Sequence, residues 1–178
     1  TLFSFANKGK KEFSGTLHTE SSFFKNDEGE NISMIKVLPS TITMGDSLWH
    51  IHQSEIIHSP KQLAVKKFIV QHDSQHIIID GKATQNLSDS LCVSLQDVDV
   101  AYILNLINFH SVEFAGLATG KIVAKNLMQK PEAYADLDVR HFLFEEGRMG
   151  TLTVHASWDN DEGKIDINGR CSDDDVSP

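Results

Sequence analysis

An eight-residue phrase occurs twice in this chain, and it constrains the fold more than any other feature. Leu63-Ala64-Val65-Lys66-Lys67-Phe68-Ile69-Val70 returns as Leu137-Asp138-Val139-Arg140-His141-Phe142-Leu143-Phe144, 74 positions further on. Both copies read apolar, any residue, Val, basic, basic or His, Phe, apolar, apolar. The parity of the apolar positions changes inside each copy: Leu63 and Val65 are odd, Phe68 and Val70 even, and the same holds for Leu137 and Val139 against Phe142 and Phe144. Strand side chains alternate faces with period two, so an uncorrected slip would throw the second pair to the wrong side. A bulge at Lys66–Lys67 and at Arg140–His141 restores the register and bends the strand. A bend at the same place in both copies predicts a sheet that curves.

The similarity extends past the phrase. Ile77, Ile79, Gly81 and Ala83 answer to Leu152, Val154, Ala156 and Trp158 at an offset of 75, and Leu91 and Val93 to Ile165 and Ile167 at 74. Self-similarity at a fixed spacing marks units that bury their apolar faces by joining neighbours. The repeat-like units span about 48–96 and 122–170, with 171–178 as a disordered tail.

Composition narrows the class. Apolar residues make up 40% and charged residues 23%, with only four prolines, which opposes wholesale disorder in 178 residues. A net charge of −9 argues against nucleic acid and against electrostatic docking on an anionic membrane. No apolar run has the length of a spanning helix. The chain starts at Thr1 without an initiator Met, as an excerpt of a longer protein would. Cys92 and Cys171 are unpatterned and read more readily as separate thiols than as a disulfide.

In chain order, Phe13–Leu17 alternates, Lys25–Asn31 is a turn, and Ile32 and Met34 open a strand. Ser40–Ile51 is a hairpin about Gly45-Asp46, and Glu55–Gln62, with Pro60, is a loop. Strands follow at Gln75–Thr84 and Leu91–Leu95. The period then changes to three and four, and Asp99 is placed to cap a short helix over about 100–108. Glu113–Lys125 resumes strand, Met128–Glu132 is a loop, Asp159–Lys164 a turn, and Ile165–Gly169 the last strand. The sum is a mainly β chain, a curled antiparallel or solenoid-like sheet of adjacent hairpins with one short helix.

Polar chemistry is sparse. No serine has nucleophile-elbow spacing. Asp159, Asp161 and Gly163 are similar to a calcium loop, but the glycine comes one position too early. His50 and His52 share a strand face without a third metal ligand nearby. Asp97 and Asp99 flank a helix start, where capping explains them. No catalytic residue, metal or cofactor is expected. What remains is the apolar face: Trp49, Ile51, Leu63, Val65, Phe68, Val70, Ile77, Ile79, Leu91, Val93, Ile122, Leu137, Val139, Phe142, Phe144, Leu152, Val154 and Trp158. Periodicity leaves two readings open, a closed core or a groove that holds acyl chains.

The run Ser40–Ile56 (STITMGDSLWHIHQSEI) resembles a pattern in the TamB/AsmA-like proteins of the gram-negative envelope. The resemblance continues through Ile78–Ala83, Leu95–Val100, Ala115–Gly120 and Gly147–Leu152, within about Ile35 to Gly169. These are strand-and-turn signatures with no catalytic fingerprint among them. The resemblance implies a β-taco-like trough and a periplasmic segment of a protein anchored in the inner membrane. It further implies phospholipid acyl chains as cargo, and an outer-membrane barrel of the TamA/BamA kind as partner in lipid transfer or outer-membrane protein assembly. The N-terminal anchor and the C-terminal domain of that family are not in this sequence. A structural spacer or adhesion module with a closed core is the alternative.

Overall fold

Period-two alternation dominates the chain, and the computed structural model answers it with strands joined in one antiparallel sheet. The structure describes residues 2–7, 13–106, 113–145, 147–159 and 163–173. The first strands are β1 (Leu2–Asn7), β2 (Phe13–Lys25), β3 (Asn31–Val37), β4 (Ser40–Met44), β5 (Ser47–Ile51) and β6 (Ser54–Ser59). Then come β7 (Gln62–His72), β8 (Gln75–Ala83), β9 (Ser90–Asp99), the helix α1 (Val100–Leu106), β10 (Phe114–Lys125), β11 (Glu132–Phe144), β12 (Gly147–Asp159) and β13 (Lys164–Ser172).

The topology is a meander from β7 onward, preceded by a branched start. β3 and β4 follow one another along β2, where Thr19 faces Val37 and Thr16 faces Thr41. β5 and β6 follow one another along β4 and β3, with Ile51 opposite Ser40 and Ser54 opposite Val37. β7 pairs with both, through Val70 to Ile51 and Lys66 to Glu55. From there each strand pairs with the next in sequence as far as β13. The mainly β architecture with one short helix is thus as the sequence predicts.

The parity changes are bulges. Register shifts lie between Val65 and Phe68 and between Val139 and Phe142, and Lys67 and His141 hold left-handed φ angles of 47° and 52°. Phe68 and Phe142 therefore return to the face of Val65 and Val139. A third bulge, which the sequence reading lacks, sits in β9 at Gln96–Asp97, with Asp97 at φ 51°. Neighbouring strands supply side-chain partners for two of these kinks. The Lys67 N–H donates to Asp80 Oδ1 at 2.8 Å, and the Asp97 N–H donates to Thr119 Oγ1 at 3.0 Å. The Arg140 guanidinium also pairs with Asp97, linking the β11 bulge to the β9 bulge across β10.

The structure corrects several expectations. Glu55–Gln62 is not a loop: β6 runs to Ser59, Pro60 and Lys61 turn, and β7 begins at Gln62. Its buried positions are serines, Ser54 and Ser59, so no apolar alternation advertised it. β9 extends to Asp99, beyond Leu95, and β13 reaches Ser172, beyond Gly169. The offset of 75 also fails in the pairing. Phe68 faces Ile79, whereas Phe142 faces Gly150, which makes the structural offset between β8 and β12 71 at those positions. Beyond the bulge the first hairpin is the longer one: β7 runs on from Phe68 to His72, β11 only from Phe142 to Phe144. Residues 107 and 108 of the expected helix, 160–162 of the expected turn and 174–178 of the expected tail lie outside the described residues.

The turn at 26–30 has a titratable brace. Asn26 Oδ1 accepts from the N–H groups of Glu28 and Glu30, and Lys61 reaches over to the Glu30 carboxylate. The Lys61 hydrogen bond, helped by Asn26, holds the Glu30 carboxyl below its ordinary 4.5. A depressed folded-state value makes this contribution full above about pH 4.5 and lost as pH falls through the folded value. Protection factors of the amides in residues 26–30, taken against the intrinsic rate at each pH, are therefore expected to fall below that pH, and Glu30→Gln should abolish the dependence.

Candidate apolar groove

Paired residues in an antiparallel sheet share a face, so the registers assign every inward side chain. One row runs Val70, Ile77, Leu95, Gly120, Leu137, Val154, Gly169 across β7 to β13. The next runs Phe68, Ile79, Val93, Ile122, Ala135, Ala156, Ile167. A third runs Val65, Gly81, Leu91, Ala124, Ala133, Trp158, Ile165. The opposite face carries polar positions such as Ser94, Lys121, Asp136, His155 and Asn168 in one row. In that row the alternation of apolar in and polar out holds from β9 to β13, whereas β8 and β7 place Ile78 and Ile69 outward.

The inward face is sealed at one end. α1 lies against it, with Val100, Tyr102 and Ile103 packed on the buried cluster. Asp99 Oδ1 accepts from the Ala101 N–H at 2.8 Å and caps the helix start. Tyr102 crosses to β5, its ring edge-on to Trp49 at 5.5 Å between centroids and its hydroxyl donating to Ser47 Oγ at 3.0 Å. β5 and β9 are separated in the sheet by β7 and β8, so this contact requires the sheet to curl. Trp49, Val37 and Val98 are the largest fully buried side chains.

Burial falls away from that seal. Of the sequence-predicted residues, Trp49, Ile51, Val65, Val70, Val139 and Phe142 are buried. Leu63, Phe68, Ile77, Ile79, Leu91 and Val93 are half-buried, as are Ile122, Leu137, Leu152, Val154 and Trp158. Phe144 is exposed, tilted against Phe114, which also stacks on Phe142. At the far edge Ile165 and Ile167 are 64% and 66% exposed. The same face is a core beside α1 and an uncovered apolar surface towards β13.

Small residues widen this surface. Ala135 and Ala156 stand between Ile122 and Ile167 in the second row, and Ala124 and Ala133 between Leu91 and Trp158 in the third. Of these, Ala156 is already aligned with Gly81 in the sequence, whereas the periodicity of large residues passes over Ala133 and Ala135, which alternate in step with Leu137. His50 and His52 are exposed, and His52 Nε2 meets Gln71 Oε1 at 3.1 Å. Among the described residues no group of three or more His, Cys, Asp or Glu could hold a metal ion. No described helix is long and apolar enough to cross a membrane.

Comparison with protein-family models, with curated proteins and with solved structures gives no match.

Proposed function

We propose that this chain is a non-enzymatic, periplasmic segment of a TamB/AsmA-like protein that offers its inward apolar face to phospholipid acyl chains. The observation that carries the reading is the graded face: rows continuous across seven strands, sealed at α1 and half-exposed towards β13. At about 4.8 Å per strand the second row is roughly 29 Å long, enough for an extended acyl chain. Each methylene taken out of water contributes about 0.8 kcal/mol, so roughly ten of them yield about 8 kcal/mol before ordering costs. No directional contact is needed. The full-length protein would be anchored in the inner membrane of a gram-negative cell and work with an outer-membrane barrel of the TamA/BamA type.

The alternative, a spacer or adhesion module, draws support from the sealed end, where Trp49 and Val98 are fully inaccessible. Native mass spectrometry separates the two. Chain purified from envelope fractions is expected to carry phospholipid-sized adducts, lost in Ala156→Trp, which fills the trough with a bulky apolar group, and in Ile79→Asp, which places a charge in it. Lipid-free protein, or adducts indifferent to both changes, would favour the spacer.

A further inference from the structure

One row of the outward face differs from its neighbours. Thr16 on β2 lies opposite Thr41 on β4, Thr41 opposite His50 on β5, and His50 opposite Gln71 on β7. Gln71 in turn lies opposite His76 on β8, and His76 opposite Gln96 on β9. Six adjoining strands thus set hydroxyl, imidazole and amide groups side by side, with no Lys, Arg, Asp or Glu among them. All six residues are exposed or half-buried. The outward row across β2, β3, β6 and β7 has the opposite character: Glu20, Lys36, Glu55 and Lys66 alternate in sign, and Lys66 pairs with Glu55. Four members of the uncharged row, Thr16, Thr41, His50 and Gln71, line a cavity of about 580 Å³, joined by His18, Asp73 and Pro39. That volume lies within the range of about 300–1,000 Å³ usual for small-molecule sites. Gln71 is held in place there, its Oε1 meeting His52 Nε2 at 3.1 Å and its Nε2 donating to the Asp73 carbonyl at 3.2 Å. The side chains of Thr16, His18, Thr41 and His50 make no hydrogen bond to another described residue, so their donors and acceptors face the cavity and solvent.

We propose that this cavity and the row that leaves it bind a neutral oligosaccharide, laid across the strands. A sugar hydroxyl donates and accepts at once, and threonine hydroxyls and carboxamides do the same, while imidazole offers one of each. Neighbouring strands lie about 4.8 Å apart, close to the length of one pyranose ring in an extended chain, so successive rings meet successive side chains. Asp73 can accept from a pair of adjacent hydroxyls, and the exposed ring of Pro39 offers an apolar surface to a sugar's C–H face. An acidic sugar would find no Lys or Arg in the row and would meet Asp73 as a like charge. The site faces away from the apolar trough, so it does not depend on the lipid reading.

An array of immobilised neutral and uronic-acid oligosaccharides of graded length tests the assignment. The wild-type chain is expected to bind neutral members, more tightly as they lengthen, and to leave the uronic acids at background. Gln71→Ala should weaken binding at least about fivefold, the loss of a hydrogen-bonding side chain from the site. Thr41→Glu, which puts a charge into the row at an exposed position, should weaken it at least about tenfold. Thr41→Val keeps the volume and removes only the hydroxyl, so it should cost about threefold even if the carboxylate disturbs folding. Lys36→Ala, in the charged row, should change nothing, and far-UV circular dichroism checks that each variant folds. A wild-type chain that retains no neutral oligosaccharide, equal retention of the uronic acids, or binding indifferent to the folded Gln71 and Thr41 variants would overturn the proposal.

Discussion

Gly120→Ala is expected to cost about 2–3 kcal/mol in urea unfolding, the strain of an unfavourable backbone region compounded by a blocked ladder. Gly120 stands at φ +148°, and a Cβ built there would lie 2.1 Å from the Asp136 carbonyl oxygen and 2.9 Å from Leu137 Cα. Both obstacles are backbone atoms of β11, so no side-chain rotation relieves them. The position also adjoins the β9 bulge, where the register between β9 and β10 shifts from Val98–Ala118 to Leu95–Gly120. Forcing the strands apart here would loosen both ladders of β10 at once. Gly29 is the control: at φ +79° with nothing within 4 Å, its change to alanine should cost only about 1 kcal/mol. Equal losses at the two sites would mean that close packing at the bulge contributes nothing.

Trp49→Ala should cost more, about 3–5 kcal/mol, the range for emptying a large aromatic from a closed core. The indole is 0% exposed and touches His72 at 5.5 Å as well as Tyr102. Removing it opens the seal under α1. The gentler change is more informative. Trp49 Nε1 is buried without a hydrogen-bond partner, so Trp49→Phe removes an unsatisfied donor along with some volume. Trp49→Phe should therefore retain most of the stability that Trp49→Ala loses, as read by equilibrium denaturation. Parity between Phe and Ala would show that the second indole ring, not the closed aromatic packing, supports the seal.

Much of this architecture was legible because bulges leave a trace in parity. Lys66–Lys67 and Arg140–His141 are flanked by apolar pairs that change from odd to even, and a strand must absorb that change somewhere. The same trace exists at the third bulge, from Leu95 to Val98, but it merges with the three-and-four spacing of α1, so the sequence alone ends the strand at Leu95. β6 was hidden because serines fill its buried positions. The pairing between copies was misjudged for a different reason. Residue-type similarity aligns strands with one another, whereas the turn positions after His72 and Phe144 decide which residues face each other. The apolar face itself was readable down to individual side chains. Its division into a sealed and an open part was not, because parity predicts that the sheet curves but not that the curve brings Tyr102 of α1 onto Trp49 of β5.

The sequential pairing of the meander has a consequence for how such a molecule can change size. From β8 to β13 each ribbon is held only by the ribbons before and after it in the chain. A further hairpin spliced on after β13 would need no rearrangement upstream, and its deletion would leave no gap. Length is then an adjustable property of this half of the scaffold, one bent ribbon at a time.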